Sequence, residues 1–107
     1  GFTLLLTNDK EIQNLNKLYR KKNKPTDVLS FYIVKKQQLE QKYLGDIVIS
    51  TDTSKKQAKV KNVPIESELI LLFTHGYLHL LGFDHIKTKD AKIMFKYQNE
   101  ILKELYF

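Results

Sequence analysis

A chain of 107 residues holds one domain: it can bury roughly 60–70% of its unfolded surface, which serves one modest core and excludes a second. With 42% hydrophobic and 28% charged residues it is too apolar for disorder, and with no cysteine it excludes a disulfide framework, a thiolate zinc site and a cysteine nucleophile. The net charge of +6 favours polyanionic partners, nucleic acid first, although a lysine-rich composition accounts for it equally well.

Phe2 to Thr7 is a short apolar run that reads as a strand. Asn8 with Glu11 three residues later is a capping-box start, and Ile12, Leu15, Leu18 and Tyr19 recur at helical spacing to about Lys22. Pro25 stops that helix. Val28 to Val34 is β-branched and aromatic, a second strand. The polar stretch Lys35 to Lys42 reads as a loop or hairpin connection, and Tyr43 to Ser50 as a third strand. Thr51 or Asp52 can cap a short helix to about Lys59, with Lys61 to Pro64 a linker.

Ile65 to about Leu81 is the most hydrophobic helix, with Glu66 and Glu68 well placed in its first turn and Gly82 to end it. Thr88 can cap a last helix from Lys89 to Leu105. The order predicts one α+β domain over 1–107, a small mixed β-sheet packed with helices. No run approaches the roughly 18 apolar residues of a membrane span, and no leader-like segment opens the chain. The expected location is therefore cytoplasmic.

All three histidines fall within eleven residues, His75, His79 and His85. His75 and His79 lie four apart on the central helix, on one face, the bite two imidazoles need to hold one ion. Gly82 lets the chain turn so that His85 can return as a third ligand. Three neutral imidazoles leave a fourth tetrahedral position for water, as in a catalytic zinc site. The spacing matches a metalloprotease pattern, but Gly76 stands where that pattern has its catalytic Glu, so peptide hydrolysis is unsupported. Gly inside a helix costs about 1 kcal/mol relative to Ala. Either substrate or another element approaches closely at Gly76, or a well-packed helix tolerates it. Asp84 can orient a ligating imidazole or cap the turn. Arg20 is the one arginine among 18 basic residues and could grip phosphate bidentately or merely sit on the surface.

The segment His75-Gly-Tyr-Leu-His79-Leu-Leu-Gly-Phe-Asp-His85 resembles the histidine block of the YbeY family, bacterial zinc-dependent endoribonucleases and rRNA maturation factors. Leu15-Asn-Lys-Leu-Tyr-Arg20 with Pro25-Thr-Asp-Val-Leu-Ser-Phe31 looks like its second block, and Leu44-Gly-Asp-Ile-Val-Ile-Ser50 like its third. The resemblance implies one Zn2+ held by His75, His79 and His85, with Arg20 the basic residue of the active-site cleft, so that Arg20 and His75 form the expected catalytic set. It implies a segment Thr26 to Phe31 beside that cleft, with Asp27 and Asp46 structural. It implies an RNA substrate, 16S rRNA 3′-end processing and ribosome quality control, with rRNA of the small subunit and ribosomal proteins as partners. The rival expectation is a non-catalytic rRNA-binding assembly factor whose metal braces the fold. Two departures stand out: Tyr32 replaces the family's usual Pro, and family members commonly carry a further element before the segment equivalent to Phe2.

Overall fold

The computed structural model describes residues 1–82 and Lys96. In chain order it forms β1 (Thr3–Thr7), α1 (Asp9–Arg20), β2 (Val28–Tyr32), α2 (Lys35–Gln41), β3 (Gly45–Ser50), α3 (Thr51–Lys61) and α4 (Ile65–Leu80). The expected helix after Thr88 lies outside the described residues.

The sheet is mixed, in the order β1-β3-β2, with β1 parallel and β2 antiparallel to β3. The register pairs Leu5 with Val48 and Ser30 with Ile47. The central strand β3 is buried on both faces, which explains its unbroken Ile47-Val48-Ile49 run. Strand alternation then divides the core. Ile47 and Ile49 pack with Leu72 and Leu80 of α4, joined by Val28, Leu44, Leu69, Phe73 and Tyr77. Val48 and Leu29 pack with Ile12 of α1, joined by Leu15 and Phe31. Helices α1 and α4 therefore cover opposite faces, and α3 packs along α4.

Helix α1 starts as its sequence predicts, with Asn8 Oδ1 accepting from the Glu11 N–H at 2.8 Å. Glu11 does not reciprocate with its side chain in a full capping box; its carboxylate accepts the Thr7 hydroxyl at 2.7 Å instead. Its C-terminus carries Lys21 in the left-handed conformation (φ 58°), where the Lys22 N–H reaches Asn16 O at 3.3 Å.

Three expectations need correction. Lys35 to Lys42 is not a loop or hairpin connection but contains the helix α2, docked by Gln38, whose Nε2 donates to Leu44 O and Leu80 O, each at 3.0 Å. Strand β3 begins at Gly45 rather than Tyr43, because Gly45 takes φ +139° and a Cβ there would stand 2.2 Å from Phe31 O. Helix α3 is capped by Ser50, not Thr51 or Asp52, and runs on to Lys61, so the linker shortens to 62–64. Asp52 instead accepts the Asp9 N–H at 3.0 Å, tying α3 to α1.

Candidate metal centre and adjoining cleft

Helix α4 is apolar around most of its surface, as a helix packed between other elements must be. Its last two turns carry His75 and His79, both half-buried. The four-residue spacing stacks the rings with centroids 4.8 Å apart, and the two Nε2 atoms approach to 3.1 Å. Two imidazoles on a tetrahedral zinc, at bond lengths of about 2.0–2.1 Å, place their nitrogens about 3.3 Å apart. The pair fits that bite. Among the described residues no third His, Cys, Asp or Glu completes a metal-binding group. His85, the third ligand expected from the sequence, lies outside them, as does Asp84.

Gly76, between the two histidines' turns, is where α4 meets the sheet: Ser30 Oγ donates to Gly76 O at 3.3 Å, and the side chains of Ile47 and Val28 close over the same spot. Another element of this chain, β2 and β3, makes the close approach.

Arg20 ends α1 on the other side of the sheet. Its Nη2 donates to Ser30 O at 2.7 Å at the β2 edge, and its guanidinium lies 5.5 Å over the Phe31 ring. Tyr19 meets the same ring edge-on at 5.3 Å. The structure thus brings His75 and His79 together and leaves Arg20 one residue removed, linked to the histidine helix through Ser30. Lys21, Lys22 and Lys24 follow on an exposed turn that Asn16 pins by donating to Lys24 O at 2.9 Å.

His75 also lines a cleft of about 460 Å3 between α3 and α4. Asp27, Gln57, Lys61 and Glu68 line it with Leu71 and Leu72. Asp27 accepts the Val28 N–H at 2.8 Å and the Gln57 amide at 3.3 Å. Glu68 is buried, both its oxygens held by Lys61 Nζ at 2.8 and 3.0 Å. Asp46 faces elsewhere, accepting the Tyr43 hydroxyl, and that carboxylate holds the phenol above its ordinary value.

Of the cleft residues besides His75, the sequence named Asp27 as a structural residue and Glu68 as a first-turn acid, and did not place them together with Gln57 or Lys61. Glu68 had a signal, since seven residues before His75 returns a helix to nearly the same face. Gln57 had none, because its meeting with Asp27 depends on how α3 lies against the start of β2.

The family model described as Endoribonuclease YbeY matches residues 1–106. A Pelagibacter ubique protein named Endoribonuclease YbeY is 49% identical over 104 residues, covering 96% of this chain and 68% of that protein. One of the same name from Persephonella marina is 45% identical over 105 residues, covering 96% of this chain and 69% of that protein. The solution structure of TM1509 from Thermotoga maritima superposes with a TM-score of 0.72 at 31% identity, covering 98% of this chain and 67% of that one.

Proposed function

This chain belongs to the Endoribonuclease YbeY family, and we propose that it is a metal-dependent endoribonuclease cutting single-stranded RNA in the maturation of 16S rRNA 3′ ends. The names of its relatives support the nuclease activity, and the 3.1 Å approach of His75 and His79 Nε2 carries the metal dependence. His75, His79 and His85 would hold one zinc ion. When bound, zinc supplies Lewis-acid polarisation of a phosphate and a water of pKa near 7.

The remaining work falls to the chain's own residues. Arg20 offers guanidinium donors to phosphoryl oxygens as charge develops on them. Its bond to Ser30 O and its seat on Phe31 fix the head in advance, so less side-chain entropy is lost on meeting substrate. Lys21, Lys22 and Lys24 track the RNA backbone beside it. The nucleophile is water or a ribose 2′-hydroxyl, which a deoxyribose substrate separates.

Metal content and RNA cleavage, measured on protein purified without chelator, test this reading. The native chain is expected to hold about one zinc ion and to cut RNA. His79→Ala should stay folded and bind RNA while losing both metal and cutting. Arg20→Ala should keep the zinc and cut about 100-fold more slowly. A chain that takes up no metal when zinc is offered back overturns the hydrolase and leaves an rRNA-binding assembly factor.

A further inference from the structure

The last turn of α1 leaves a large aromatic ring in solvent. Tyr19 is 62% exposed, yet its ring is held in place. It meets the Phe31 ring at 5.3 Å with the two planes inclined at 64°, an edge-to-face pair that fixes the phenol against β2. Arg20 stands over the same Phe31 ring at 5.5 Å, with its head bonded to Ser30 O. A shared neighbour at those two distances leaves between phenol and guanidinium a gap that a phosphate and its attached base can bridge. Charge is sorted along the helix as well. Asp9 and Glu11 lie at its start, whereas Lys17 and Arg20 end it and the exposed Lys21, Lys22 and Lys24 follow. The ring thus stands at the cationic end of the helix.

We propose that Tyr19 is a stacking platform for one unpaired base of the RNA, adjoining the phosphate seat at Arg20; the inference rests on the nuclease reading. Every base has a π face, and an aromatic side chain beside a cationic track takes one up without regard to sequence. Such stacking needs a base whose face is open, which a single strand offers and a duplex hides. Lysines grip both forms through phosphate alone. Tyr19 is thus what gives this surface its preference for single strands. Phe31 lowers the cost, because a ring already held in place loses little rotamer freedom on binding.

Fluorescence anisotropy with a labelled single-stranded RNA, an RNA duplex and an abasic ribose-phosphate strand, read on mixing before cutting, tests the proposal. Tyr19→Ala should weaken single-strand binding about tenfold, the scale of one lost base–aromatic stack. Duplex and abasic-strand binding should not change, nor should the salt slope, because stacking releases no counterions. Tyr19→Phe keeps the ring and should keep the affinity. A Tyr19 that merely braces Arg20 would weaken all three together, and that result overturns the platform. The chain has no tryptophan, so Tyr19→Trp supplies a single reporter that tests the contact even if Tyr19→Ala fails to fold. Its emission should be quenched by the single strand and not by the abasic strand. Val60→Trp, at an 87% exposed site on α3, should not respond. Equal quenching by both strands, or quenching of Val60→Trp to the same depth, overturns the proposal. Cutting with no loss of binding in Tyr19→Ala removes the platform and spares the nuclease; stacking without cutting does the reverse.

Discussion

At Gly76 a side chain has no room. A Cβ there would stand 2.8 Å from Ile47 Cγ2, 3.1 Å from Ser30 Oγ and 3.4 Å from Val28 Cγ2. Ile47 is fully buried and β-branched, so it cannot swing aside. Gly76→Ala gains about 1 kcal/mol of helix propensity and incurs about 1–3 kcal/mol of overpacking. The net expectation is destabilisation by about 1 kcal/mol, read from thermal or denaturant unfolding; a more stable variant would contradict the contact. The histidine spacing was legible because a helix converts four residues into one face. That the sheet presses on Gly76 was not, because nothing in a glycine names its neighbour.

The helices came through the sequence where they carried a cap, an apolar stripe or a long apolar run. Helix α1 shows a cap and an apolar stripe, whereas Lys-Lys-Gln-Gln-Leu-Glu-Gln of α2 shows neither, and its N-cap Val34 makes no side-chain bond. Tertiary contact holds it, through Gln38 on Leu44 O and Leu80 O. The join of α1 to α3 is also tertiary. Asp9 opens α1 and accepts from Ser50, from Thr53 at 2.6 Å and from Lys56 at 3.4 Å. Those bonds, Ser50's and Thr53's foremost, hold its carboxyl below the ordinary value of 3.8. A lowered folded pKa contributes stability that is fully present above the unfolded value and is lost as pH falls through the folded one. The stability gap between the native chain and Asp9→Asn should therefore be constant near neutrality and close as pH drops below about 4. Denaturant midpoints across pH 3 to 7 measure it, and a gap that persists to the acid end would sink the assignment.

Over the whole molecule the charge of +6 acquires a direction only through the fold. Arg20, Lys21, Lys22 and Lys24 gather at one edge of the sheet, on the end of α1 and the turn that Asn16 pins. If these four cations carry the RNA backbone, single-strand affinity should fall with salt at a log–log slope of about −3, or about 50-fold between 50 and 200 mM. Replacing Lys22 and Lys24 with Gln should roughly halve that slope in fluorescence anisotropy, and an unchanged slope would place the RNA elsewhere.

The sequence by itself determined the α+β order of elements apart from α2, the helix that carries His75 and His79, and the family. Each of these is local, set by spacing along a helix or strand or by a contiguous motif. Only the tertiary structure decided that α1 and α4 take opposite faces, that Arg20 reaches the histidine helix through Ser30, and that Asp27, Gln57 and Glu68 share a cleft. Those residues are 30 and 11 positions apart along the chain, and it is burial of Ile47, Ile49 and Leu72 in one core that brings them together.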